Sequence, residues 1–85
     1  MYNLIIRKQA DKKLRSLGVI DRTRIAEAIY ALRQEPIDNE LNIRKMVGES
    51  FYRLRVGKWR IIFEKDDMIK VIAIEKIGSR GDVYK

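Results

Sequence analysis

The sequence predicts an α+β domain of order β-α-α-β-β-β, an antiparallel sheet with two N-terminal helices packed on one face. Three observations point there. Apolar residues recur at helical spacing through residue 32. From residue 44 onward the period changes to 2. The 85 residues suffice for a single domain, 1–85, with no linker. A composition 46% hydrophobic and 36% charged, with one Pro, excludes disordered and collagen-like classes.

Residues 2–6 (Tyr-Asn-Leu-Ile-Ile) read as a short strand. Residues 8–18 read as a helix, with Ala10, Leu14 and Leu17 at i, i+4, i+7 and Gly18 at its end. Asp21 is the expected N-cap of a second helix. That helix carries Ile25, Ala28, Ile29 and Leu32 on one face and stops before Pro36. Residues 43–47 offer a short strand ended by Gly48. Residues 51–56 and 59–65 alternate as strands, and 68–77, rich in Ile and Val, reads as a central strand buried on both faces. Gly57-Lys58 suits a two-residue hairpin turn, since Gly first supplies the positive φ of type II′. Asp66-Asp67 is the expected next turn.

Two absences narrow the chemistry. The chain has no Cys, hence no disulfide, thiolate nucleophile or thiolate metal site. It has no His, hence no imidazole base and no histidine-bound metal. No apolar run reaches the roughly 18 residues of a membrane span. No apolar segment of a signal peptide follows Met1 either, so the cytoplasm is the expected compartment. The net charge of +7 is uneven: residues 1–24 carry 7 basic and 2 acidic side chains, and residues 44–60 carry 6 and 1. Two basic zones on so small a domain point to nucleic acid or an acidic protein partner.

The hairpin turn sets a register. Val56 pairs with Trp59, Arg55 with Arg60, Leu54 with Ile61 and Arg53 with Ile62. Tyr52, Leu54 and Val56 then share a core-facing side with Trp59, Ile61 and Phe63. Arg53, Arg55 and Arg60 gather on the other side. Opposed like charges cost about 0.2–1 kcal/mol in a sheet. A phosphate between the guanidiniums removes the conflict, and arginine's fork suits it. A two-residue turn at Asp66-Asp67 would put Ala73 beside Arg60 and leave room for a ligand. In the tail, Arg80 is a candidate phosphate ligand and Tyr84 a candidate base-stacking ring. Lys45 and the first-helix lysines Lys12 and Lys13, with Lys58 of the turn, are candidate RNA contacts.

Gly48, then Tyr52-Arg53-Leu54-Arg55-Val56-Gly57-Lys58-Trp59-Arg60-Ile61-Ile62-Phe63, then Ile77-Gly78-Ser79-Arg80-Gly81-Asp82-Val83-Tyr84, resembles the RelE/ParE superfamily of toxin–antitoxin toxins. Lys13-Leu14, Leu17, Leu32 and Pro36 fit the same pattern, and the hairpin and tail are more specific to the RelE branch. The resemblance implies a RelE-like microbial RNase-type fold and a ribosome-dependent endoribonuclease. Such an enzyme cuts mRNA in the ribosomal A site without metal or other cofactor, the RNA's own 2′-OH attacking the adjacent phosphate. It further implies that Arg60 stabilises the phosphate, that Arg80 serves the phosphate or leaving group, and that Tyr84 orients a base. Arg53 and Arg55 stand where RelE toxins carry lysines. The implied partners are the ribosome with its mRNA, and a cognate antitoxin with an acidic segment. Arginine stays protonated to above roughly pH 12 and is no base. Ser79 stands where many relatives place His or Lys. The general base is therefore open among Glu49, Lys45 and Tyr84. The alternative readings are a ParE-like inhibitor of DNA gyrase and a catalytically weak RNA-binding relative.

Overall fold

A computed structural model describes residues 1–35, 40–46, 48 and 50–79. It contains β1 (Asn3–Ile6), α1 (Lys8–Ser16), α2 (Val19–Leu32), β2 (Asn42–Lys45), β3 (Phe51–Val56), β4 (Trp59–Asp66) and β5 (Val71–Ser79). The α+β class, the order of elements and the helix pair on one face agree with the sequence-based expectation. The sheet, of order β1-β5-β4-β3-β2, has five strands and is mixed, because β1 pairs parallel to β5 while the other pairings are antiparallel. The topology explains this. Two helices take the chain out and back, so β2 starts at the end of the sheet toward which β1 runs. Three reversals then leave β5 parallel to β1.

The alternating residues of β3, β4 and β5 meet the helices. Leu54, Ile61, Phe63, Ile72, Ile74 and Ile77 are buried against Ala10, Ile25, Ile29 and Leu32. Each such side chain contributes about 1.5–3 kcal/mol of apolar burial. Tyr52 stacks on Phe63, ring centroids 5.5 Å apart. Trp59 closes the core beneath the hairpin turn, and the Lys13 and Lys58 ammoniums lie over its ring at 5.7 and 5.3 Å.

Four local expectations need correction. Helix α1 ends at Ser16, where Leu17 turns extended (ψ 154). Gly18, not Asp21, caps α2; Asp21 sits within the first turn, where a carboxylate still meets the positive end of the helix dipole. The short strand is Asn42–Lys45 rather than 43–47. Strand β5 starts at Val71, because the β4–β5 connection is longer than two residues. The Asp66 carboxylate accepts hydrogen bonds from the backbone amides of Met68 (2.9 Å) and Ile69 (3.2 Å), and Lys70 adopts a φ of 55 before the strand resumes.

A bulge completes the register. Ile62 pairs with Lys76 but Phe63 with Ile74, so Glu75 has no opposite residue. The apolar pattern requires it. Ile74 and Ile77 are three apart yet both face the core, which a strict period of 2 forbids. In consequence Arg60 faces Gly78, and Ala73 faces Glu64. The expected neighbour of Arg60 was Ala73. The residue found there is smaller still.

At the opposite end of the sheet an ion-pair cluster ties the connections together. Lys70 Nζ and the Met1 amine reach the Glu35 carboxylate at 2.7 and 2.8 Å. The Tyr2 hydroxyl donates to Asp67. Lys70, then the amine, holds the Glu35 carboxyl down at about 2. A carboxyl depressed by folding contributes stability that is fully present above its ordinary value of 4.5 and is lost as the pH falls toward about 2. Glu35→Gln is therefore expected to flatten the decline of the melting temperature across that window. An unchanged acid limb would show that this cluster does not set it.

Candidate nucleic-acid interface

Gly57 has a φ of +59 while Lys58 stays at negative φ, as a type II′ turn requires. The turn sets the predicted register: Val56–Trp59, Arg55–Arg60, Leu54–Ile61 and Arg53–Ile62 are all paired. In a two-residue hairpin the pair flanking the turn exchanges both hydrogen bonds. The next pair outward, Arg55–Arg60, is then the close kind, with Cα atoms roughly 4.5 Å apart.

The pairing of β2 with β3 adds a residue that sequence reasoning missed. Arg44 lies opposite Arg53, and Asn42 opposite Arg55. The outer face therefore carries two rows. Asn42, Arg55, Arg60 and Gly78 form the first, and Arg44, Arg53, Ile62 and Lys76 the second, roughly 7 Å lower by strand geometry. The signal for Arg44 was Ile43, which packs against the core and so turns Asn42 and Arg44 outward.

Among the described residues, no carboxylate pairs with the arginines of this face. Arg7, Arg15, Lys65 and Lys70 make ion pairs, but Arg44, Arg53, Arg55 and Arg60 make none with the described residues. Arg53 and Arg60 are half-buried, Arg44 and Arg55 exposed. The Arg53 Nε is shielded and meets no hydrogen-bond acceptor among the described residues. A buried donor without an acceptor costs about 1–3 kcal/mol, more when charged. Ile62 is buried on this otherwise polar face, in a row flanked by Arg53 and Lys76. Such an array holds anions, and can stabilise charge that develops on a phosphate. It has no imidazole, and no described cluster of three carboxylates could hold a metal ion.

The expected lysines lie elsewhere. Lys45 pairs with Tyr52 and belongs to the helix-facing side of the sheet, at its edge. Lys12 is exposed on α1, and Lys13 and Lys58 flank Trp59, also on the helix side. Arg24 of α2 comes near the turn: a Cβ added to Gly57 would sit 3.4 Å from its guanidinium. Arg44, Arg53, Arg55 and Arg60 thus occupy the side of the sheet opposite to Lys12, Lys13, Lys45 and Lys58. Arg80, Tyr84 and Glu49 lie outside the described residues. Arg80 follows directly on Ser79, which pairs with Trp59 at the end of the sheet nearest Arg60.

Comparison with known proteins agrees with this architecture. Residues 4–84 match the family model of the ParE toxin of type II toxin–antitoxin systems, parDE. A protein of Methanocaldococcus jannaschii, named as a candidate toxin RelE1, is 33% identical over 88 residues, covering 99% of this chain and 96% of its own. The crystal structure of an archaeal RelE–RelB complex from Pyrococcus horikoshii OT3 contains a chain 34% identical. It superposes with a TM-score of 0.81 over 95% of this chain and 97% of that one. A RelB–RelE antitoxin–toxin complex from Methanococcus jannaschii matches at 26% identity and a TM-score of 0.76, over 94% of each chain. With its two helices, its five-stranded sheet and the match along nearly its whole length, the chain belongs to the RelE/ParE family of toxins of type II toxin–antitoxin systems.

Proposed function

We propose that the protein is a RelE-type toxin that cleaves messenger RNA on the ribosome, with the arginine face as its phosphate-binding surface. The observation that carries this is the opposition of Arg55 and Arg60 across a glycine-flanked row, with no described acidic partner. A fold retains such a pair against about 0.2–1 kcal/mol of repulsion when a bound anion returns more. Charge-assisted hydrogen bonds return about 1.5–3 kcal/mol each. Similarity at 33–34% identity to proteins named RelE favours this branch over gyrase inhibition.

In the proposed reaction the 2′-hydroxyl of the RNA releases its proton to solvent water as its oxygen attacks the adjacent phosphorus. The 5′-oxygen leaves and takes up a proton, giving a 2′,3′-cyclic phosphate and a 5′-hydroxyl. Arg60 and Arg55 neutralise the charge that builds on the non-bridging oxygens, and Arg53 binds the neighbouring phosphate. The roles proposed for Arg80 and Tyr84, from the family resemblance, are to stabilise the leaving oxygen and to stack on a base. Arginines bind and stabilise but do not accept the proton, so most of the acceleration comes from positioning and electrostatics. An acidic antitoxin segment is the proposed inhibitor, since a +7 chain attracts one and the RelE chain from P. horikoshii occurs in a complex with RelB. Primer extension on an mRNA in a translation extract tests the reading. Cuts within A-site codons are expected when the protein is added. Intact mRNA, or arrest of DNA supercoiling by gyrase in its place, would overturn it.

A further inference from the structure

Below the arginine rows, on the same outer face, the sheet holds a cleft of about 330 Å³. Ile5, Ile69, Val71 and Ala73 line it with Glu64 and Ser50, and Arg7 and Lys65 border it, each paired with a carboxylate outside the lining, Glu75 at 3.4 Å and Asp67 at 3.5 Å. The register fixes its position. Glu64 is the next outward residue of β4 after Ile62, and it stands between Phe51 and Ala73, with Ile5 beyond on β1. The cleft therefore begins one row below Arg53, roughly 7 Å along the strands. That is the same step that separates the Arg53 row from the Arg55–Arg60 row.

The chemistry of the cleft differs from that of the rows above. Its floor is apolar, and Ala73 leaves space at its centre. Of its two carboxylates, Asp66 is occupied by the Met68 and Ile69 amides. Glu64 is half-buried, makes no ion pair among the described residues, and accepts only a long hydrogen bond of 3.4 Å from the Ser50 hydroxyl. With Arg7 and Lys65 already paired and the Glu64 carboxylate at its wall, this apolar slot is a poor seat for phosphate. It suits a flat, neutral group with hydrogen-bond donors on its edge, and its volume is at the lower end of the ~300–1,000 Å³ of small-molecule sites. An RNA base is such a group. Guanine alone presents two adjacent N–H donors, N1–H and the N2 amino group, which match the two oxygens of a carboxylate.

We propose that this cleft is a base subsite, in which Glu64 selects an unpaired guanine one step along the strand from the phosphate on Arg53. The inference rests on the reading of the arginine face as an RNA surface. The test is fluorescence anisotropy with the full chain and four labelled single-stranded oligoribonucleotides that differ only in the base at one position. The guanine oligonucleotide is expected to bind about tenfold tighter than the uracil one, the discrimination typical of one good two-point contact. Glu64→Gln is expected to lose that preference and gain one for adenine, since a carboxamide pairs with adenine's donor and acceptor. Ala73→Leu, which fills the slot, is expected to bind all four alike, with the salt dependence of the wild type. Equal affinities for the four bases in the wild type, or a preference unchanged in Glu64→Gln, would overturn the base subsite while leaving the phosphate face intact. Binding to none of the four would overturn the phosphate face itself. If Ala73→Leu does not fold by circular dichroism, Glu64→Gln decides alone, because it removes a charge without adding bulk.

Discussion

Replacing Arg60 by Ala is expected to lower the rate of mRNA cleavage by about 100- to 1,000-fold, the loss typical when one preorganised donor to a transition-state oxyanion is removed. The geometry makes Arg60 the strongest candidate on the face. It is half-buried on a central strand, between Arg55 and the bare backbone of Gly78. A phosphate can thus approach it closely from one side. Arg60→Lys is expected to recover only part of the rate, since lysine keeps the charge and loses the fork. The same substitution has an opposite effect on the fold. Arg60→Ala removes the repulsion with Arg55, so its melting temperature is expected to stay level or rise. Cleavage and thermal melting measured on one preparation check both halves. A cleavage rate within twofold of the wild type would remove Arg60 from the reaction. A large fall in melting temperature would recast it as a structural residue.

Phe63→Ala is expected to destabilise the domain by about 3–5 kcal/mol, the usual cost of emptying a large aromatic site in a core. Phe63 is the largest fully buried side chain among the described residues, on a central strand and stacked on Tyr52. A domain this small buries only about 60–65% of its unfolded surface, so it has little stability in reserve. With total stability of about 5–15 kcal/mol for ordinary domains, the variant is expected to be largely unfolded at 37 °C or close to it. Urea denaturation followed by Trp59 fluorescence measures the loss. A change below about 1 kcal/mol would mean that the neighbours collapse into the space, and that the core is softer than its contacts indicate.

The two effects separate cleanly because the sheet has two unlike faces, and that division was legible early. Alternation in Tyr52–Val56 and Trp59–Phe63, joined by a turn whose first residue is Gly, is local information. It requires no knowledge of the rest of the chain. It placed Arg53, Arg55 and Arg60 together and put Trp59 in the core, where the structure also has them. The helical face of Ile25, Ile29 and Leu32 was legible for the same reason, since residues one turn apart share an environment whatever they pack against.

Arg44 was not legible as a member of the site, and neither was Gly78 as the neighbour of Arg60. Arg44 reaches the face through the pairing of β2 with β3, across a connection whose length is not set by a tight turn. Gly78 reaches it through a longer β4–β5 connection and a bulge at Glu75. A two-residue turn at Asp66-Asp67 was locally acceptable. In its place the Asp66 carboxylate holds the amides of Met68 and Ile69 in a longer connection, which slides β5 along β4 without changing the face of Ile72 or Ile74, and Ile77 joins them in the core only through the bulge. The spacing of Ile74 and Ile77 was the trace of the bulge in the chain itself.

Hairpin register, helix faces and the clustering of three arginines are thus set by neighbours a few residues apart, where sterics and period decide alone. The parallel seating of β1, the entry of Arg44, the glycine beside Arg60 and the cleft at Glu64 depend on which distant strands lie side by side. That choice belongs to the packing of the whole core, because a strand can shift its pairing by one residue only if every side chain on it changes face.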